Sequence, residues 1–151
     1  MPHHKFLDLK PRLDDPDVQR VWSQSMWQPS PETVTRVVDR CRSKEDRQLR
    51  GIVDGSRILG VAEYEIRGSG ILYIANIAVA EDCRRAGIGR EMIHELLDRY
   101  HLPIELETDD DAVGFYRKCG FTAAELVKNG VKRWKCRLEE NENAVVGVVR
   151  N

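Results

Sequence analysis

The chain has 151 residues, the usual length of one domain, and is long enough to bury a hydrophobic core without disulfides or metals. Charged residues make up 32% of it but nearly cancel to a net charge of −1, which argues against bulk binding to nucleic acid or an anionic membrane. No apolar run approaches the roughly 20 residues of a membrane span, and no signal peptide is recognisable. The four cysteines have neither C-x-x-C nor zinc spacing, so we expect free thiols, no metal and a cytoplasmic location.

The N-terminal third predicts one strand followed by two helices. The strand is expected over residues 6–9. Asp15 is predicted as the N-cap of the first helix, with Pro16 in its first turn. Ser30 is predicted as the N-cap of the second helix, because a proline follows it too. Apolar residues at helical spacing follow both starts, and Pro29 is expected to end the first helix.

Three strands joined by short turns are predicted in the middle of the chain, over residues 47–53, 58–66 and 71–80. The dipeptide of Asp54 and Gly55 is a typical hairpin turn. These short connections predict an antiparallel meander. The third strand is almost entirely apolar, which is typical of a strand buried on both faces.

A long helix follows, and then a strand over residues 103–107, a short helix over 108–118, and a hairpin of strands 121–127 and 131–138. The strand after the long helix is expected to lie parallel to the apolar strand, because a helix crossover joins them. The order β-α-α-β-β-β-α-β-α-β-β predicts an α+β fold with a mixed, twisted central sheet. We expect a single domain over residues 1–138.

A tail over residues 139–151, first polar and then apolar, is expected to leave this domain. Its apolar segment, 145–149, could pair with the edge strand of a neighbouring copy. A homodimer is therefore one hypothesis, although the sequence does not fix the oligomeric state.

An anion site is predicted where the apolar strand gives way to the long helix. Gly87 and Gly89 remove side chains at this corner, so a ligand can approach the backbone, and the first N–H groups of the helix point outward. Together with Arg84 and Arg85, these donors favour a phosphate group. The pattern is not a Walker A loop, which needs Gly-Lys-Ser/Thr, nor a dinucleotide fingerprint, whose third glycine is replaced by Met92.

Two stretches resemble the signature motifs of the GNAT family of N-acetyltransferases. The first is Arg-x-x-Gly-x-Gly, formed by Arg84, Gly87 and Gly89. The second spans residues 109–121, and its matching residues are Ala112, Phe115, Tyr116, Lys118, Gly120 and Phe121. Asp109 stands where the family often has asparagine, and it is still expected to cap the short helix. The resemblance covers roughly residues 5–138.

The resemblance implies transfer of acetyl from acetyl-CoA to an amine, with the pantetheine arm between the apolar strand and the next parallel strand, which diverge in such folds. The arm would pair with the backbone of Ile77 and Val79, as an added strand would. The pyrophosphate would meet backbone N–H groups of residues 85–90. The coenzyme-binding residues implied in this way are Ile77, Ala78, Val79, Arg84, Arg85, Ala86, Gly87, Ile88, Gly89, Arg90, Asp109, Phe115, Tyr116 and Lys118.

Aminolysis of a thioester requires a neutral amine, and only about one alkylammonium in two thousand is neutral at pH 7. A group must therefore accept a proton. Glu63 is the candidate base, with Glu65 on the same strand face and a water relay as alternatives. A backbone N–H such as that of Val79 would stabilise the acyl oxygen. Tyr116 is the candidate donor to the leaving thiolate.

Three residues are candidates for the acceptor side of the reaction. Trp27 could supply an aromatic wall or a cation–π contact to an amine, Glu65 a carboxylate, and Tyr73 a relay point. Trp22 is expected in the core instead. The sequence does not identify the acceptor amine, and a non-catalytic acyl-CoA-binding sensor or interaction domain is the alternative function.

Overall fold

The computed structural model describes residues 3–68 and 70–140. The helices are α1 Pro16–Trp22, α2 Pro31–Ser43, α3 Ile88–Tyr100 and α4 Val113–Lys118. The strands are β1 His4–Asp8, β2 Arg47–Asp54, β3 Arg57–Arg67, β4 Ile71–Val79, β5 Ile104–Thr108, β6 Thr122–Lys128 and β7 Val131–Leu138. Single 3₁₀ turns lie at Lys10–Arg12, Ser23–Ser25 and Glu81–Cys83.

Both predicted helix starts are confirmed. The Asp15 carboxylate accepts a hydrogen bond of 2.8 Å from the Asp17 N–H at the start of α1. Ser30 Oγ accepts one of 3.1 Å from the Thr33 N–H at the start of α2. Each side chain satisfies a donor that has no partner within its own helix. Helix α1 is shorter than predicted, because the chain changes to a 3₁₀ turn after Trp22.

The seven strands are ordered β1-β2-β3-β4-β5-β7-β6. The pairs β1–β2, β2–β3, β5–β7 and β6–β7 are antiparallel, whereas β4–β5 is parallel. The parallel ladder consists of Leu72 opposite Ile104 and Tyr73 opposite Glu105. The predicted α+β fold with a mixed sheet is therefore confirmed, and so is the parallel direction of the strand that follows the helix crossover.

The described chain divides into two compact units. The first contains residues 3–66 and 74–95, and the second contains residues 67–68, 70–73 and 96–140. Each unit has its own buried apolar side chains: Trp22, Leu49, Ile52 and Met92 in the first, and Leu96, Ile104, Leu106 and Cys136 in the second. The expectation of a single domain over residues 1–138 stays a prediction.

The start of α4 corrects one expectation. The helix was expected from residues 108–111 with Asp109 as its cap, but it begins at Val113. Asp109 instead closes a turn ahead of the helix, since its Oδ1 accepts a hydrogen bond of 3.0 Å from the Ala112 N–H and its carbonyl accepts one of 3.1 Å from the Val113 N–H. These two bonds are the ones that an N-cap residue makes, so Asp109 caps the turn that leads into α4.

Residues 139 and 140 follow β7 without regular structure, as expected for the start of a polar tail. The apolar segment 145–149, on which the homodimer hypothesis depends, lies outside the described residues. No helix within residues 3–68 and 70–140 is long and apolar enough to cross a membrane.

Candidate active site

An open corner connects β4 to α3. After β4 the chain makes the 3₁₀ turn and then a loop over residues 84–87, where Arg85 and Gly87 have φ angles of +68° and +82°. These left-handed conformations turn the chain sharply, and glycine adopts them without strain. A Cβ atom placed on Gly87 would meet no atom within 4 Å. The backbone at this corner is therefore accessible to a ligand.

The same corner carries hydrogen-bond donors and positive charge. The Glu91 N–H donates to the Gly87 carbonyl at 2.9 Å, which begins the hydrogen-bond ladder of α3. The N–H groups of residues 88–90 precede that bond, so they have no acceptor within the helix. Arg84 and Arg85 are exposed beside them. N–H groups that have no acceptor inside the helix, the helix dipole and two guanidinium groups together suit an anion.

The Arg84 side chain is held by a neighbour in the first unit. Its Nη2 donates a hydrogen bond of 2.9 Å to Gln24 Oε1. Gln24 lies in the 3₁₀ turn Ser23–Ser25 that follows α1. The segment between α1 and α2 is thereby connected to the anion corner.

The register between β3 and β4 decides which backbone groups of β4 point to its other edge. The Ala80 N–H donates to the Leu59 carbonyl at 2.8 Å, so the backbone groups of residue 80 point toward β3. Alternate residues of a strand point their N–H and C=O groups to opposite edges. Ile77 and Val79 lie three positions and one position before Ala80. Their backbone N–H and C=O groups therefore point away from β3.

Glu63 lies at the centre of a buried polar cluster in the first unit. Its side chain is 0% exposed. Its Oε2 accepts a hydrogen bond of 2.8 Å from Arg47 Nη1, and its Oε1 accepts one of 2.6 Å from Asn76 Nδ2 and one of 3.3 Å from Trp22 Nε1. Arg47 also donates to Glu65 Oε1 at 3.1 Å. The expectation of Trp22 in the core is confirmed.

The electrostatics of this cluster follow from its charges. Burial alone would lower the pKa of Arg47, but the Glu63 and Glu65 carboxylates outweigh it and raise that pKa above its ordinary value. Cys41 packs nearby, and burial followed by the Glu63 charge raises the pKa of its thiol to about 11. Both shifts are those expected beside ionised carboxylates.

Tyr116 lies in the second unit on α4 and is 7% exposed. Its ring makes edge contacts with Phe115 and Phe121 at centroid distances of 5.1 and 5.5 Å. Burial raises the pKa of its hydroxyl. Within the described part of the chain no buried side-chain nitrogen or oxygen lacks a partner, and no described group hydrogen-bonds to this hydroxyl. The raised pKa keeps the hydroxyl protonated at neutral pH. Since the hydroxyl has no described partner and is not among the fully buried atoms, it is reachable from solvent.

Two other predicted acceptor-side residues lie in different units. Trp27, in the first unit, is 84% exposed in the segment between α1 and α2. Tyr73, in the second, is half-buried under the guanidinium of Arg67, 3.8 Å from the ring centroid. Burial and then the Glu107 carboxylate raise the pKa of Tyr73. An aromatic ring that is almost wholly exposed, as in Trp27, is available to a ligand.

The remaining coenzyme candidates in the second unit lie at the surface. Asp109, Phe115 and Lys118 are all exposed, with Phe115 at 41%. In the first unit the structure brings together Glu63, Glu65 and the strand that leads to the anion corner. The four cysteines are free thiols. No cluster of three or more metal-ligating side chains occurs in residues 3–68 and 70–140.

Sequence reasoning missed Arg47 and Asn76. Arg47 begins a predicted strand, and nothing in its local pattern indicates a buried partner. Asn76 did carry a signal, since it places an amide in an otherwise apolar strand. An amide at such a position needs hydrogen-bond partners.

A comparison with protein-family models gives a match that agrees with the fold and with the glycine corner. The acetyltransferase (GNAT) family model matches residues 16–121. The chain belongs to the GNAT family. No protein of curated function matches the chain in sequence.

Solved structures of several acetyltransferases share the fold. A GNAT-family protein from Desulfovibrio desulfuricans has a TM-score of 0.74 at 23% identity, over 91% of this chain and 99% of that one. The ribosomal-protein-S18-alanine N-acetyltransferase of Escherichia coli has a TM-score of 0.72 at 18% identity, over 91% and 94%. A Bacillus subtilis acetyltransferase in complex with CoA has a TM-score of 0.55 at 18% identity, over 74% and 85%. At identities this low, the structural likeness shows a common fold and no more.

Removal of the buried Arg47 should lower the free energy of unfolding more than removal of an exposed arginine. Arg47→Met should lower the free energy of unfolding by about 3–5 kcal/mol, because it leaves the buried Glu63 charge without its cation. The matched variant Arg42→Met removes an exposed partner of Asp14, at 2.7 Å, and should cost far less. Urea unfolding at pH 7 measures both. Equal losses would contradict the assigned role of the Arg47–Glu63 pair.

Proposed function

We propose that this GNAT protein is an N-acetyltransferase that moves acetyl from acetyl-CoA to a primary amine by direct aminolysis. Acetyl transfer from acetyl-CoA is the chemistry of the family to which the chain belongs. The observation that carries the proposal is the open corner at Gly87, where the first N–H groups of α3 lie next to two exposed arginines. Open space at Gly87 would let the phosphates of a ligand approach the backbone of this corner.

The corner would hold the coenzyme by its pyrophosphate. Backbone N–H groups of residues 85–90 would donate to the phosphate oxygens. Arg84 and Arg85 would supply positive charge, and Arg84 would exchange its neutral partner Gln24 for a phosphate, which forms the stronger charge-assisted bond. The CoA complex of the Bacillus subtilis relative supports a coenzyme with this diphosphate.

The outer edge of β4 would bind the pantetheine arm. Ile77 and Val79 direct their backbone groups away from β3, so an extended chain with amides could pair with them as an added strand does. Ala78, between them, is small and buried and keeps the strand close to its neighbours. The same outward N–H groups can donate to an acyl oxygen as it gains charge.

Tyr116 would assist the leaving thiolate. A protonated phenol can donate a hydrogen bond to sulfur, and burial keeps this hydroxyl protonated by raising its pKa. Phe115 and Phe121 fix the ring from two sides. Asp109 and Lys118, which belong to the same motif, would also contact the coenzyme.

The sequence leaves three alternatives for the proton acceptor: Glu63, Glu65 and a water relay. Glu63 has both oxygens engaged by Arg47, Asn76 and Trp22, and Glu65 shares the same arginine. Occupied oxygens are poorly placed to take a proton directly, which favours a water relay with these carboxylates behind it. Trp27 and Tyr73 would border the amine, Trp27 because its ring is free to contact a cation.

Turnover tests the proposed function directly. Purified protein with acetyl-CoA should release free thiol in the presence of at least one amine from a panel of an N-terminal alanine peptide, Nα-acetyl-lysine amide, spermidine, kanamycin and free amino acids. Mass spectrometry should find the acetylated amine. Coenzyme binding without turnover on a broad amine panel would instead favour a sensor or interaction domain.

The glycine corner predicts a loss of coenzyme affinity on substitution. Gly87→Asp should weaken CoA binding at least 100-fold by calorimetry, because a carboxylate repels the diphosphate and fills the corner. Gly55→Asp is a matched control, since Gly55 also has a positive φ angle of +62° and open space around it but lies in the β2–β3 turn. Undiminished affinity in Gly87→Asp would show that the phosphate site lies elsewhere.

The proposed role of Tyr116 predicts a loss of rate with binding preserved. Tyr116→Phe should lower kcat about 100-fold or more while the CoA dissociation constant changes little, because only the proton donor is lost. Tyr100→Phe removes a comparable hydroxyl from α3 and should leave kcat within about twofold. Because the raised pKa keeps Tyr116 protonated, the wild-type rate should show no decline from this group below pH 10.

A further inference from the structure

The amide of Asn76 has a fixed orientation. Its nitrogen lies 2.6 Å from Glu63 Oε1. An ionised carboxylate only accepts hydrogen bonds, so the group that faces it must be the amide NH₂ and not the amide oxygen. The other carboxylate oxygen, Oε2, accepts a hydrogen bond of 2.8 Å from Arg47 Nη1, so the carboxylate acts as an acceptor on both sides. The NH₂ of Asn76 is therefore committed to Glu63, and its Oδ1 points elsewhere.

The amide oxygen is available to a ligand. No described group donates a hydrogen bond to Oδ1, and the described residues contain no buried side-chain oxygen without a partner. Asn76 itself is half-buried. Its oxygen must therefore be reachable from solvent, at a point where an otherwise apolar strand leads toward the anion corner.

The face of β4 on which Asn76 lies is set by β3. A Cβ on Gly60 would meet Met92 and Ile88, so that position faces α3. Glu63 is an odd number of residues from Gly60 and faces the opposite side, where Trp22 of α1 reaches it. Asn76 contacts Glu63 and so shares the α1 side. The exposed segment with Trp27 continues from α1.

We propose that Asn76 binds the acceptor amine through Oδ1 and that Glu63 is the positioning residue that aims it. This inference rests on the proposed acetyl transfer and names a residue for its second substrate. Asn76 immediately precedes Ile77, whose backbone is proposed to face the coenzyme, while its side chain lies on the α1 face. A neutral oxygen also suits the chemistry, because a carboxylate in contact would hold the amine in its charged form.

The test separates binding of the two substrates. In Asn76→Ala the KM for the best amine of the panel should rise about 10- to 100-fold, with kcat within about threefold and the CoA dissociation constant within twofold. Gln48→Ala, which removes a half-buried amide from β2, should leave all three unchanged. Thermal unfolding confirms that each variant is folded, and Asn76→Ser, which cannot reach as far, replaces Asn76→Ala if that variant does not fold.

A double-mutant cycle tests the role of Glu63. Glu63→Gln should raise the amine KM by itself, and adding it to Asn76→Ala should raise KM no further. Additive effects would overturn the positioning role. An unchanged amine KM in a folded Asn76 variant would overturn the inference alone, whereas absence of acetylation by the wild type would overturn the proposed function and this inference with it.

Discussion

The first unit is organised around one buried carboxylate, that of Glu63. Glu63 lies on β3 with no solvent contact, and such a group is stable only when its oxygens are fully hydrogen-bonded and a cation lies beside it. Three different elements supply the donors: Trp22 from α1, Arg47 from β2 and Asn76 from β4. These bonds fix α1 and two neighbouring strands to one point on β3, and the bond from each strand is lost if that strand slips its register by one residue.

The same geometry gives β4 separate functions in different directions. One edge of the strand bonds to β3, as the Ala80 to Leu59 bond shows. The other edge carries the outward backbone groups of Ile77 and Val79, which we assign to the coenzyme. The side chain of Asn76 projects from the α1 face, which we assign to the amine. A strand can separate two substrates in this way because its backbone groups and side chains point at right angles.

Family membership and fold leave the acceptor open, since one fold supports many substrates. The three solved structures named above are below 25% identical to this chain. Specificity therefore has to be argued from particular groups on the α1 side. The structure supplies two of very different character, an almost fully exposed indole at Trp27 and an oriented amide oxygen at Asn76.

Local interactions could be predicted from the sequence because the groups involved are close along the chain. Asp15 and Ser30 cap helices two or three residues away, and the glycine corner depends on the conformation of a few consecutive residues. The capping bond of Asp109 is local in the same way, but the regular helix begins only at Val113, after a turn whose extent the sequence does not fix.

The sequence by itself determined the order of elements, the mixed sheet, the starts of α1 and α2, and the open corner at Gly87. The tertiary structure decided that Glu63 is buried and paired, because its partners Trp22, Arg47 and Asn76 come from elements that only the folded register brings within hydrogen-bond distance. It also decided which face Asn76 presents, because the direction of a side chain on a strand depends on pairing with a neighbour and not on the identity of the residue.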